Sequence, residues 1–203
     1  MVRQNSTIRK HQIVEAARGL ITEKGMDAVT IDAIADAVGL SEGAIYRHFS
    51  SKQQILLLLI DELEHDLLSS VEKTQEIEPN ALRVLECILE THLADVEGSR
   101  GVSFVVVSGA MSFEGIGLAD RVRDMLERYL NVLQEVMRRG VREGTFHSGL
   151  DIEAAALTFF GMIQSTATIW ALSGYSWSLD RWRSQILEIY KNGVAAPQEA
   201  PIS

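Results

Sequence analysis

Residues 30–52, TIDAIADAVGLSEGAIYRHFSSK, decide the fold because they predict two short helices joined by a tight turn. Thr30 is placed to cap the first helix, and Asp32 suits the positive end of that helix. Gly39 stands where the helix must stop in a left-handed conformation, which glycine adopts without steric cost. Ser41 is the expected cap of the second helix. This stretch is a helix-turn-helix whose second helix is sized to enter a DNA major groove.

The apolar residues of the same stretch predict how its two helices pack. Ile31, Ile34 and Val38 recur at i, i+3 and i+7, which places them on one face of the first helix. Ile45 and Phe49 are expected to point back from the second helix towards that face. The polar residues between them are then left on the outside.

This motif resembles the DNA-binding signature of the tetracycline-repressor (TetR) family. The matching residues are Ala35, Gly39, Leu40, Ser41, Gly43, Ile45, Tyr46, His48, Phe49 and Lys52. The resemblance spans about residues 7–60 and includes a preceding helix that ends in Glu-Lys-Gly. The remaining two thirds of the chain resembles the family only in length and helical character. The resemblance implies a homodimeric, ligand-responsive transcriptional regulator, with repression as the expected action.

The resemblance also assigns expected roles within the motif. The positions similar to phosphate contacts of the family are Thr30, Tyr46, His48 and Lys52. The second helix opens at Ser41, and the residues that can face bases are Glu42, Gly43, Ala44 and Arg47. Arg47 is the best candidate for base readout, because Gly43 and Ala44 offer little hydrogen bonding. Glu42 could accept a hydrogen bond from cytosine N4 or could serve only the helix dipole.

The distribution of charge agrees with a DNA-binding N-terminus. The net charge is −9, yet residues 1–52 contain seven Lys/Arg and six Asp/Glu. The remaining residues contain twelve Lys/Arg and twenty-two Asp/Glu. The acidity therefore lies outside the motif, where it would keep DNA away from other faces. Arg9 and Lys10 lie in the first turn of a predicted helix and are either phosphate contacts or ordinary solvated side chains.

Several features predict a cytoplasmic protein. A single cysteine, Cys87, cannot form an internal disulfide, which fits a reducing compartment. The N-terminus shows no secretory signal, and the longest apolar runs, residues 55–60 and 102–107, are too short to span a bilayer. No membrane partner is expected.

Periodicity along the rest of the chain predicts an all-α fold with two domains and a tail. Helices are expected over residues 7–24, from about 50 to 75, and over 80–96, 118–142, 151–171 and 179–191. The run 102–111 is predicted to be a buried helix, since no second strand is available to pair with it. We assign residues 1–52 to DNA binding, 53–192 to effector binding and dimerisation, and 193–203 to a disordered tail.

The apolar stripes of the larger domain are predicted to enclose a cavity for a small effector. The inward-facing residues are Leu85, Leu89, His92, Val96, Phe104, Met111, Met125, Tyr129, Phe159, Ile163 and Gln164. Polar groups such as His92 within apolar surroundings are typical of ligand pockets, although a lone histidine on such a stripe is more often an ordinary core residue. Few charges face inward, which favours an apolar or aromatic effector.

The predicted helix over residues 151–171 is apolar nearly all round, which indicates burial on more than one side. Together with the last helix it is predicted to form a four-helix dimer interface under two-fold symmetry. Trp170, Trp182 and Ile186 are the expected interface residues, although an aromatic side chain here could instead belong to the core of its own subunit. The two-fold symmetry predicts a roughly palindromic operator.

Other chemistries find no support in the sequence. The five histidines and Cys87 lack metal-ligand spacing, and no Gly-x-Ser-x-Gly elbow is present. The glycines fit neither a phosphate-binding loop nor a dinucleotide fingerprint, so no cofactor is predicted. An enzyme with an accessory helix-turn-helix and an all-helical interaction protein remain the alternative classes. The exposed Tyr46, Arg47, His48 and Lys52 argue against the second, because a structural motif does not need them.

Overall fold

The computed structural model describes residues 2–109 and 117–196, with side chains from residue 6 onwards. Helices account for the regular structure of these residues, and the all-α prediction is confirmed. The α-helices are α1 (Val2–Lys24), α2 (Ile31–Val38), α3 (Glu42–Ile45), α4 (Lys52–Ile77), α5 (Ala81–Gly98), α6 (Val102–Gly109), α7 (Leu118–Arg142), α8 (Ile152–Leu172) and α9 (Asp180–Val194). A 3₁₀ turn, Met26–Ala28, lies between α1 and α2.

The ends of the chain differ from the sequence-based prediction. Helix α1 begins at Val2, ahead of the expected start at residue 7. Helix α9 continues to Val194, and Ala195 then forms an isolated bridge with Phe146. The expectation of a disordered tail is therefore wrong for residues 193–196, because backbone hydrogen bonds with the loop after α7 hold them.

The turn of the helix-turn-helix forms largely as its local sequence predicts. The Thr30 hydroxyl accepts a hydrogen bond from the Ala33 N–H at 3.0 Å, which confirms the cap. Gly39 has φ 67° and ψ 38°, the left-handed conformation expected at this helix end. The cap predicted at Ser41 is wrong, because its side chain makes no capping hydrogen bond and only its carbonyl accepts bonds from α3.

The chain divides into two compact units. The first contains Met1–His65 and Ser99–Met125, so it includes α6 and the start of α7 beside the helix-turn-helix. Its fully buried side chains include Ile13, Ile21, Ile34, Ile45, Ile55 and Leu59. Helix α6 packs against α1, and the Thr22 hydroxyl donates to the Ser99 carbonyl at 3.3 Å. The grouping differs from a boundary at residue 52, since the first half of α4 belongs to this unit.

The second unit contains Asp66–Gly98 and Leu126–Ser203. Helix α5 packs against both α8 and α9. Its fully buried side chains include Leu85, Tyr129, Leu133, Phe146, Phe159 and Ile163. The Glu97 carboxylate at the end of α5 accepts from the Leu179 N–H at 3.2 Å and so caps the start of α9.

Helix α8 has an unusually apolar surface. It is the one described helix that is long and apolar enough to cross a membrane by length and composition alone. Leu157 and Ile169 are each 60% exposed on it, and Leu172 is 80% exposed. Its opposite face is buried in the second unit, which is the pattern of a core helix that also has an apolar outer face.

Candidate DNA-binding surface and effector site

The outer face of the helix-turn-helix presents polar side chains around α3. Ser41, Glu42, Gly43 and Arg47 are exposed, and Tyr46 is 51% exposed. Below them Ile45 and Phe49 are buried, as the sequence predicts. The helix itself is short, so residues 46–48 continue it as a turn. Groups that can contact bases and phosphates are therefore concentrated on one exposed surface.

The structure corrects one predicted DNA contact. Ala44 is 6% exposed and packs into the core beside Ile45, so the prediction that it faces bases is wrong. The physical reason is helical geometry, because residues one position apart point about 100° away from each other. Glu42, Gly43 and Arg47 remain exposed and available for base contacts. His48 is half-buried at the edge of the same surface.

Lys52 makes an internal contact that the sequence does not predict. Its ammonium donates a hydrogen bond to the Val29 carbonyl at 2.9 Å. That bond joins the start of α4 to the residue before the Thr30 cap. Lys52 can therefore position the helix-turn-helix, in addition to any phosphate contact that its exposed side chain makes.

Lys10 also lies beside this surface. Its ammonium is 5.5 Å from the centre of the Phe49 ring, a cation–π distance. This placement brings the first part of α1 next to the end of the recognition segment. Lys10 therefore lies where its ammonium is near the recognition segment.

The second unit contains a buried pair of polar side chains in contact with each other. His92 on α5 is 8% exposed, and Tyr129 on α7 is fully buried. Their Nδ1 and hydroxyl oxygen are 3.2 Å apart, and the rings meet edge to face at 5.7 Å. Phe160 on α8 packs its edge against Tyr129 at 6.1 Å. Three helices therefore meet at this pair.

Burial keeps both members of the pair uncharged. Desolvation lowers the pKa of His92 to about 4, because the imidazolium would lose its hydration without gaining a counter-ion. The same effect raises the pKa of the Tyr129 hydroxyl far above its usual value. At neutral pH the pair is a neutral hydrogen-bonding group.

Helices α5 and α7 run antiparallel, and small residues bring them close together at one end. A Cβ atom placed on Gly140 of α7 would lie 2.9 Å from Ala81 Cβ on α5 and would overlap the Phe146 ring. His92 lies eleven residues after Ala81, and Tyr129 lies eleven residues before Gly140. Small residues therefore bring one end of the helix pair together, while large polar side chains span it three turns away.

The other predicted effector residues have different positions. Leu85, Leu89, Val96 and Ile163 are buried in the second unit, and Gln164 is half-buried there. Phe104 and Met125 belong to the first unit, and Met111 lies outside the described residues.

The phenylalanine of α8 that lies beside Tyr129 is one position further along the chain than predicted. Phe159 packs its ring against Tyr190 at 5.3 Å, so Phe160, which the sequence analysis missed, is the phenylalanine that contacts Tyr129.

The three residues predicted to form the dimer interface differ in their exposure. Trp170 is 3% exposed and its indole N–H donates to the Trp177 carbonyl at 2.6 Å, so the prediction that it anchors a dimer is wrong. It belongs to the core of its own subunit. Trp182 is 44% exposed on α9 and Ile186 is half-buried there. Among the described residues, no group of three or more His, Cys, Asp or Glu is arranged to hold a metal ion.

Comparison with known proteins covers both units. The profile of bacterial regulatory proteins of the tetR family matches residues 13–59, and that of the C-terminal region of YsiA-like proteins matches residues 59–193. The chain is 26% identical over 183 residues to the fatty acid metabolism regulator protein of Bacillus subtilis, covering 90% of this chain and 94% of that protein. It is 36% identical over 141 residues to the nucleoid occlusion factor SlmA of Haemophilus ducreyi, covering 67% of this chain and 68% of that protein.

A solved structure extends this likeness to the fold. The transcriptional regulator FadR from Bacillus subtilis, in complex with stearoyl-CoA, superimposes with a TM-score of 0.81 at 26% identity. The match covers 90% of this chain and 98% of that chain. Together, the helix-turn-helix surface, the helical second unit and these matches show that the chain belongs to the TetR family of DNA-binding, ligand-responsive transcriptional regulators.

Proposed function

We propose that this protein is a cytoplasmic repressor, without catalytic activity, that leaves its operator when it binds a fatty acyl-CoA thioester. The observation that carries the proposal is the likeness, over nearly the whole of both chains, to a regulator solved in complex with stearoyl-CoA. The match to a fatty acid metabolism regulator agrees with it. The match of residues 59–193 to a single C-terminal family supports the transfer, because it includes most of the second unit, to which we assign effector binding. An acyl chain agrees with the apolar effector predicted from the sequence.

Titration of operator DNA tests the proposal. A fluorescent duplex from the region upstream of the protein's own gene would be bound first and then titrated with stearoyl-CoA. Release of the duplex is expected with stearoyl-CoA, whereas CoA alone should leave it bound. If no acyl-CoA of any chain length binds the protein or releases the duplex, the proposed effector class is wrong.

The similarity to SlmA supports a second candidate, a role in nucleoid occlusion. Its identity is higher, but it covers two thirds of the chain rather than nine tenths. The operator titration also separates the two candidates, since DNA binding that ignores acyl-CoA would favour the second.

The first unit supports a division of the DNA contacts into two sets. We assign phosphate contacts to Lys10, Tyr46, His48 and Lys52, with Thr30 at the edge of the surface. Base contacts are assigned to Ser41, Glu42, Gly43 and Arg47. Residues 1–52 thus provide the DNA-binding region, and residues 53–192 provide effector binding and dimerisation.

An apolar face on α8 and α9 supports the proposed dimer interface. Ile189 is 75% exposed, close to Trp182 and Ile186 on the same helix. A hollow of about 380 Å³ lies beside it, lined by residues that include Ala155, Tyr190 and Val194. An apolar surface of this kind is typical of a protein–protein interface, and two-fold symmetry would bury it on both subunits.

Sedimentation of one variant tests this interface. Ile189→Glu should shift the protein from dimer to monomer at micromolar concentration, because a charge would enter an apolar contact. The matched control is Ile77→Glu, since Ile77 is 83% exposed at the end of α4. Dissociation by both variants, or by neither, would exclude the α8–α9 face as the interface.

A further inference from the structure

The hydroxyl of Tyr129 differs from that of the other buried tyrosine in the second unit. The Tyr190 hydroxyl donates to the backbone carbonyl of Ala155 at 3.0 Å, which fully accounts for its proton. Tyr129 has no backbone partner within the described part of the chain, and its contact is the His92 ring nitrogen. One tyrosine is therefore satisfied by the fold, whereas the other depends on a second titratable side chain.

Counting donors shows that the His92–Tyr129 pair retains an unused proton. If the hydroxyl donates to Nδ1, the imidazole carries its proton on Nε2 and that N–H is available. If Nδ1–H donates instead, the hydroxyl proton is available. Either tautomer leaves one N–H or O–H donor of the pair outside their mutual hydrogen bond. A hydrogen-bond acceptor on a ligand that reached the pair would therefore find a neutral donor there.

We propose that the His92–Tyr129 pair binds the thioester carbonyl oxygen of the acyl-CoA effector and so fixes how deeply its acyl chain enters the second unit. This inference rests on the proposed function, because it assigns residues to the same effector. A thioester carbonyl oxygen can accept a hydrogen bond and carries no charge, so a single neutral donor suits it. Phe160 contacts Tyr129, and Leu89 lies buried one helical turn before His92 on α5. Such apolar side chains suit the methylene chain on one side of that oxygen.

The neutrality of the pair has a consequence for specificity. A free fatty acid would bring a carboxylate into this interior, and the imidazole has little tendency to become a counter-ion there. An unpaired buried charge is far more costly than an unpaired dipole. The pair therefore selects a thioester over the corresponding free acid, and both residues determine specificity without taking part in any reaction.

Two ligands that differ only at the carbonyl test the assignment. Stearoyl-CoA and S-octadecyl-CoA share the CoA group and a C18 chain, but the second is a thioether with no carbonyl oxygen. Wild-type protein should bind the thioether roughly fivefold to tenfold more weakly in fluorescence or calorimetric titrations, as the loss of one buried hydrogen bond predicts. Equal affinity for the two ligands would overturn the inference while leaving the acyl-CoA effector intact. Failure of both to bind would overturn the proposed function itself.

A double variant tests whether the preference for the thioester over the thioether comes from the His92–Tyr129 pair. His92→Leu combined with Tyr129→Phe removes both polar partners together, so neither is left stranded in the interior. This variant should bind the two ligands within about twofold of each other. The matched control, Tyr190→Phe, also removes a buried hydroxyl but should keep the wild-type preference. Loss of the preference in the control, or its retention in the double variant, would show that the pair does not contact the carbonyl.

Discussion

The DNA-binding surface and the His92–Tyr129 pair are built in opposite ways. The first is assembled from neighbouring residues on a short helix, and its polar groups are exposed. The second joins residues that are 37 positions apart on two helices, and its polar groups are buried. DNA binding requires charge at the surface, where phosphates can approach it. A ligand pocket requires a few neutral polar groups in a dry interior, where each hydrogen bond discriminates strongly.

The largest expected effect is a loss of folding stability in acid, which comes from the buried His92. The pKa of His92 is about 4 in the folded protein against 6.5 for the free side chain, so the unfolded chain binds this proton at higher pH than the folded chain. The resulting stability is fully present above pH 6.5 and is lost as pH falls towards 4, by roughly 3 kcal/mol. Urea unfolding at several pH values would measure the loss. The His92→Leu/Tyr129→Phe double variant should lack this part of the pH dependence, and an unchanged slope would contradict the assignment.

Close packing between Gly140 on α7 and Ala81 on α5 predicts the next largest effect on stability. Gly140→Ala should lower the free energy of unfolding by about 1–3 kcal/mol, because the new Cβ would collide with Phe146 and Ala81. Gly19→Ala is the matched control in α1, where a Cβ meets nothing within 4 Å. That control should gain up to about 1 kcal/mol from helix propensity. Thermal or urea denaturation of both variants would compare them, and equal stabilities would refute the close approach.

Arg47 should affect recognition without affecting stability. Arg47→Ala is expected to cost about 1–3 kcal/mol at one operator base pair, while leaving binding to other sequences and the melting temperature nearly unchanged. Arg142→Ala provides an exposed arginine control at the end of α7, outside the proposed DNA surface. Anisotropy titrations against a set of single-base operator variants would measure the effect. An unchanged base preference would remove Arg47 from the readout residues.

Local sequence determined much of the first unit. The Thr30 cap and the left-handed Gly39 follow from residues close in the chain, so their placement needs no knowledge of distant packing. The bounds predicted for residues 118–142 agree with α7, because Gly117 and Gly144 flank a regular apolar stripe. Ser41 shows the limit of this reasoning, since a suitable residue at a cap position still need not form the capping bond.

Tertiary structure decided which face of each helix is used. Ala44 and Trp170 lie in the core, although the sequence allows both to be exposed, and Phe160 rather than Phe159 contacts Tyr129. A step of one residue turns a helix by about 100°, so a helix that is apolar nearly all round does not reveal its buried face from sequence alone. The family and the helix-turn-helix were therefore evident from the sequence, because local conformational preferences and spacing determine them. The His92–Tyr129 pair required the fold, because only packing between distant helices brings its two side chains together.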